Sequence, residues 1–428
     1  MFKLGYSTNG ISNIDLFDAI KEVEKVGYKG IELCFHKEQF NPFSLTEKDL
    51  KKLKDFFDKT EIKPVSIGTG TTFFLSNTMP HGPSIFDINP LERRKRIDLI
   101  KKGIEIANKL DIPNVSFTSG FLSDEYTNNP SIDPKDILID SIKECLIDIG
   151  QVTLVIEPEP GMLIENLEDG INIVSAVNSP SFKLHLDIGH AYCAGENYIQ
   201  DIEHALPYTK YVHLADIKSG YNINFLNFTS INDNFKSSLI LGDDDFGYLI
   251  YFEKEKTFIL IDNRNIVYFY YGTVSASENN ILTNLKNLFQ FSEISKVNLQ
   301  EILKIKVTTD EEREIKAYID SVPKMTNDFL KLFIPILRFL RTTKDKSDRL
   351  FIDKPMGYTI RGKVHYHEFP GKGEIDFHAV FSVLIKNNYE GPVTVELYNH
   401  LDIWQKVIPD SFNYLKNIID EVMDGNIR

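Results

Sequence analysis

From residue 1 to about 218, short apolar runs alternate with longer stretches whose apolar positions recur every three to four residues. "FKLGYS" is followed by "IDLFDAIKEVEKVGY", "KGIELCF" by "TEKDLKKLKDFFDKT", and "KPVSIGT", after a long loop, by "PLERRKRIDLIKKGIEIANKLD". "PNVSFTSG" leads through "DPKDILIDSIKECLIDIG" to "TLVIE", and "NLEDGINIVSAVN" leads to "FKLHLDIGH". "IQDIEHALPYT" then precedes "KYVHLADI". The first kind of run predicts strands buried on both faces, the second amphipathic helices. Seven such strands in βα alternation predict a parallel sheet of the α/β class. The count points to a closed (β/α)8 TIM barrel.

The eighth strand is delayed. "FHAVFSVLIKNNYEG" reads as a helix, "PVTVELY" as a strand and "PDSFNYLKNIIDEV" as a closing helix. Between strand seven and that helix the chain runs far longer than a barrel loop requires. Within this excursion "FGYLIYFEKEKTFILIDNRNIVYFYYG" (246–272) predicts an antiparallel meander, and residues 309–343 predict helix. The expected organisation is therefore a barrel over 1–218 and 362–428, with an α+β subdomain, 219–361, inserted after strand seven.

Strand five carries an oddity. "TLVIEPEPGM" (153–162) begins as a buried strand and ends on Glu157 and Glu159, although an isolated buried carboxylate costs several kcal/mol unless compensated. In a (β/α)8 barrel, chemistry gathers at the carboxyl ends of the strands. Strand six ends with Asp187, strand seven with His213 and strand eight with Glu396. Glu157, Asp187, His213 and Glu396 would form a hard, mostly oxygen shell around one axis. Such a shell suits a divalent ion such as manganese, magnesium or cobalt better than a thiolate-rich structural zinc site would. Glu159 is expected to bond loop backbone or substrate. His190, three residues after Asp187, reads as a ligand or a substrate contact.

Composition narrows the setting. A formal charge of -14 over 428 residues argues against broad nucleic-acid affinity. Cys34, Cys145 and Cys193 are too few for a disulfide framework, and no apolar run approaches a membrane span. The amino terminus enters a strand without signal-peptide character, so a reducing cytoplasm is expected.

"KGIEL", "ERRKRIDLIKKGIEIANKLDIPNVSF", "VIEPEPG", "LDIGHA", "VHLADI", "HEFPGKGEIDF" and "NNYEGPVTVEL" occur in that order. In this combination the chain resembles the sugar phosphate isomerase/epimerase family with a xylose isomerase-like barrel. That group also holds ketose 3-epimerases, inosose-processing enzymes and endonuclease IV-type nucleases. The resemblance implies that Glu157, Asp187, His213 and Glu396 ligate a metal; the hard donor shell leads to the expectation of Mn2+, with Mg2+, Co2+ or Zn2+ as alternatives. It further implies that Glu157 and Glu396 act as the acid–base pair through an enediolate, and that Glu32 and His367 contact substrate. The partner so implied is a small polyhydroxy carbonyl compound, and a homo-oligomer is compatible with it. The endonuclease pattern needs histidines after strands two to four; "PVSIGTG" and "NVSFTSG" carry none, and His36 and His81 fit it poorly. The spacing of His365 and His367 leaves room for a second metal. Two further readings stand beside the isomerase: a metal-dependent phosphodiesterase, and a non-catalytic scaffold whose insertion binds a protein.

Overall fold

The structure, a computed structural model, describes residues 2–217 and 367–426 apart from positions 72–73, 77–80, 124, 127–128, 196, 399 and 402. Between 219 and 363 it describes the backbone of seven strands. Two compact units result, one spanning Met1–Ser76, His81–Ser219 and Lys363–Arg428, the other built on Gly220–Gly362.

The first unit is the expected barrel. Strands β1 (Leu4–Ser7), β2 (Gly30–Cys34), β3 (Lys63–Gly68), β4 (Asn114–Thr118), β5 (Thr153–Glu157), β6 (Phe182–Asp187) and β7 (Thr209–Leu214) pair in sequence. The last barrel strand, β15 (Val393–Val395), closes the ring between β7 and β1. All eight pairings are parallel. Helices α1 (Leu16–Val26), α2 (Glu47–Phe57), α3 (Pro90–Leu110), α4 (Pro134–Cys145), α5 (Leu167–Val177), α6 (Ile188–Ala194), α7 (Tyr198–Ala205), α8 (Phe377–Lys386) and α9 (Trp404–Asn426) complete it. Their starts follow from the sequence: Asp15, Asn89, Asp133 and Asn166 accept backbone N–H bonds at the N-caps, and Thr46 with Asp49 forms a capping box. No described helix is long and apolar enough to cross a membrane.

The large apolar core lies between strands and helices, whereas a separate small group, Val65, Val155 and Tyr211, plugs the barrel axis. Polar side chains meet across the axis beyond that plug, as where Ser116 Oγ lies 2.6 Å from His185 Nδ1. The long loop after β3 is pinned by the buried Arg96, which donates to the carbonyls of Pro83, Thr69, His81 and Gly82.

In the second unit, strands β8 (Ser219–Phe228), β9 (Ser237–Leu241), β10 (Tyr248–Phe252), β11 (Thr257–Ile261), β12 (Ile266–Tyr271), β13 (Val297–Asn298) and β14 (Met356–Lys363) form one sheet in the order β13-β12-β11-β10-β9-β8-β14. Neighbours from β8 to β13 run antiparallel. The helix expected over 309–343, and His365, lie outside the described residues.

The barrel holds the two points where the chain leaves and returns. Asp216 and Glu368 exchange backbone bonds of 2.8 and 2.9 Å. The Asp216 carboxylate also accepts from the backbone N–H groups of Ile217, Gly371, Gly373 and Ile375. Gly373 suits this cradle because a Cβ there would lie 2.3 Å from Asp216 Oδ1.

Candidate functional site

Four consecutive barrel strands each deliver one of the expected residues at their carboxyl-terminal ends. Glu157 is the last residue of β5 and Asp187 the last of β6. Asp187 also caps α6, its Oδ1 accepting the His190 N–H at 2.8 Å, so the carboxylate is fixed by the helix it starts. His213 stands one residue before the end of β7, and Glu396 follows β15 directly.

His213 is the hub. Its Nε2 lies 2.9 Å from Glu32 Oε2, and its Nδ1 lies 3.5 Å from Glu157 Oε1 and 3.9 Å from Asp187 Oδ2. Because an ionised carboxylate only accepts, Nε2 carries a proton toward Glu32; Nδ1 faces Glu157 and Asp187, offering them a proton while the ring is charged and a lone pair once it is neutral. His213 Nδ1 and Asp187 Oδ2 are both buried without a hydrogen-bond partner. Burial alone would push the His213 imidazolium down. The Glu32 carboxylate, with Glu157 beyond it, more than offsets this and holds it well above its usual range. Burial pushes the Glu157 carboxyl up, against the opposing pull of His213 and His190.

Two clusters share this face. Glu157, His185 and His213 bring ligand atoms within 4.8 Å of one another, and so do Asp187, His190 and His367. In the second cluster His190 Nδ1 lies 2.9 Å from the Pro158 carbonyl, which therefore accepts its N–H and leaves Nε2 as the lone-pair nitrogen. His367 Nδ1 lies 2.7 Å from Glu396 Oε2. The other oxygen of Glu396 accepts from Asn9 Nδ2 at 2.6 Å, and Asn9 Oδ1 lies 2.8 Å from His36 Nε2. Burial would raise the Glu396 carboxyl, yet the His367 hydrogen bond and charge, with Asn9, bring it down to about 2. Glu159 is buried beside this group, and burial followed by the Glu157, Glu396 and Asp187 charges lifts it well above the carboxylate range.

All four expected ligands thus reach one face, though unequally. Glu157 and Asp187 converge on His213 Nδ1, while Glu396 is tied to the second cluster through His367. Glu32, expected to meet substrate, is 1% exposed and stands behind His213. Sequence reasoning overlooked His185, Ser116 and Asn9. His185 precedes Asp187 by two residues, so strand alternation alone puts both on one face; Asn9 follows a strand end as Glu396 does.

The donor set fits a divalent ion. A histidine whose outer nitrogen is held by a carboxylate, with its inner nitrogen bare beside two more carboxylates, is the usual arrangement behind a metal-binding imidazole. The orphaned Nδ1 and Oδ2 are the atoms such an ion would satisfy.

Comparisons with known proteins agree with this architecture. A search of the curated proteins found no match. Among solved structures, a D-tagatose 3-epimerase-like protein aligns at TM-score 0.53 and 15% identity, over 99% of each chain. A D-psicose 3-epimerase from Clostridium cellulolyticum H10, solved with D-tagatose, aligns at 0.52 and 11%, over 97% of this chain and 99% of its own. An IolI protein with a bound zinc atom aligns at 0.50 and 15%, over 98% and 97%. At such identities the likeness speaks for the fold. The family model for the xylose isomerase-like TIM barrel matches residues 20–237, and with half of the chain so covered the protein belongs to that family.

Proposed function

We propose that the protein is a divalent-metal-dependent isomerase or epimerase of a small polyhydroxy carbonyl compound: a sugar, sugar phosphate or cyclitol ketone. The observation that carries the reading is the pair of buried, unpartnered atoms, His213 Nδ1 and Asp187 Oδ2, facing Glu157 with Glu32 behind the imidazole. Glu157, Asp187, His213 and Glu396 would hold the ion. Bound there, a divalent cation supplies Lewis-acid polarisation of a carbonyl oxygen. Manganese suits the three-carboxylate, one-imidazole donor set, and magnesium, cobalt and zinc are the alternatives.

The remaining work falls to the side chains. Glu157, lifted by burial, is suited to take a proton from the carbon beside the carbonyl and to keep it. Glu396, held ionised by His367 and Asn9, is suited to face the opposite side of the substrate as the second carboxylate. His190, 3.8 Å from Glu157, and His367, 2.7 Å from Glu396, are assigned with Glu159 to the substrate hydroxyls. Residues 219–361 are assigned to an inserted subdomain that contributes none of the four ligands. The test is metal analysis of the purified protein, followed by a screen of ketoses, inososes and sugar phosphates in deuterated water. Carbon-bound deuterium in a recovered compound is the expected result. Absence of both a bound divalent ion and exchange across the panel would overturn the reading.

A further inference from the structure

Among the proposed ligand carboxylates, Glu396 has a short hydrogen bond from the chain on each oxygen, and one of those bonds leads away from the site. Asn9 sits in the short 3-10 turn Thr8–Ile11 that follows β1, where Ser7 Oγ accepts its backbone N–H at 3.3 Å. His36 follows β2 and is locked by paired backbone bonds to Phe40, 3.2 and 3.1 Å long. Gln39 joins the two loops by donating to the carbonyls of Ile11 and Ile14 at 2.9 and 2.8 Å. The three polar groups therefore stand on fixed backbone.

Their polarity is determined by chemistry. An ionised carboxylate only accepts, so the Asn9 NH2 must face Glu396 Oε1, and the Asn9 oxygen must face His36. An amide oxygen only accepts in turn, so His36 must carry its proton on Nε2. Reversing any one group would set lone pair against lone pair.

We propose that His36 and Asn9 are positioning residues for Glu396, a one-way donor relay that sets the rotation of its carboxylate and thereby its readiness to ligate. The inference rests on the reading of Glu396 as a ligand. It assigns a role to His36, which the fold places outside the ligand set, and it predicts that a donor at position 36 matters while an imidazole as such does not. His36→Gln preserves an N–H donor; His36→Leu removes it. A contact that merely ties the two loops together would lower the melting temperature in His36→Leu while leaving ion affinity alone.

The experiment uses the full-length protein and Mn2+ alone. Calorimetric titration compares the wild type with Asn9→Leu, His36→Leu and His36→Gln, and ring 15N spectra of histidine-labelled, metal-free wild type report the tautomer. Expected are a weakening of about tenfold or more in Asn9→Leu and His36→Leu, recovery to within about threefold in His36→Gln, and an Nε2–H tautomer at His36. An Nδ1–H tautomer, wild-type affinity in His36→Leu, or a His36→Gln variant as weak as His36→Leu would each overturn the relay. If wild type binds no Mn2+, the metal reading falls and the tautomer alone decides the relay. An Nε2–H signal that shifts in Asn9→Leu then upholds it, and an Nδ1–H signal ends it.

Discussion

The carboxylates at the ends of β5 and β15 sit across one barrel mouth in opposite settings. Glu157 has imidazole nitrogens at 3.5 to 3.8 Å and a carboxyl raised by burial. Glu396 has a donor on each oxygen at 2.6 and 2.7 Å and a carboxyl brought down to about 2. Pairs of titratable groups whose surroundings push them apart are how a site separates its acid from its base. Under the proposed function, the β5 side would exchange the proton and the β15 side would keep a fixed negative charge.

The largest effect should come from removing the hub. His213→Ala and Asp187→Ala are each expected to weaken Mn2+ binding by more than ~100-fold, since even outer-layer changes cost ~10–100-fold. Equilibrium dialysis measures it, and unchanged affinity in both would dissolve the site. Next, Glu157→Gln should retain most of the metal while hydrogen exchange at substrate carbon falls ~10²-fold or more. Glu396→Gln should lose metal affinity as well, because a Gln amide cannot match both the Asn9 and the His367 donors. Equal behaviour of the two variants would erase the asymmetry. Glu32→Gln removes the charge that holds the His213 proton and should cost ~10-fold in Mn2+ affinity, read by the same dialysis.

The pH response sharpens the comparison further. A carboxyl depressed in the folded state contributes stability that is present above its unfolded value. That stability is lost as pH falls through the folded value. For Glu396 the window runs from the ordinary 4.5 down to about 2. The unfolding free energy of metal-free protein, from urea titrations at pH 5 and at pH 3, should therefore fall further between the two in wild type than in Glu396→Gln, by roughly 1 kcal/mol or more. The smallest effect is expected from replacing 221–360 with a Gly/Ser linker, which leaves every proposed ligand in place. A folded deletion variant should bind Mn2+ within about threefold of wild type, and loss of binding would draw the insertion into the site.

The ring of strands and its four polar ends could be read from the chain because both are local. A strand declares itself within five residues, and "LHLD" or "TLVIE" shows where its polar end falls. Cross-barrel partners are different. That Glu32 would stand behind His213, or Asn9 beside Glu396, depends on which strands closure sets opposite one another, and no window of sequence contains both members. The role of His36 is hidden for the same reason: among the described residues it reaches the site through Asn9, in the turn after another strand.

The cradle that Asp216 makes for the backbone of 371–375 also bears on how the ring is closed during folding. β15 must find β1 and β7 after an excursion spanning a third of the chain. Loop-closure entropy grows only logarithmically, so halving or doubling the excursion changes its cost by about 0.6 kcal/mol. Four backbone donors on one carboxylate, next to a two-residue bridge, can outweigh that difference locally. Seen this way, the length of what is spliced in at this point is nearly free to the barrel, and the sequence constraint falls on the hinge pins: Asp216, Gly371 and Gly373.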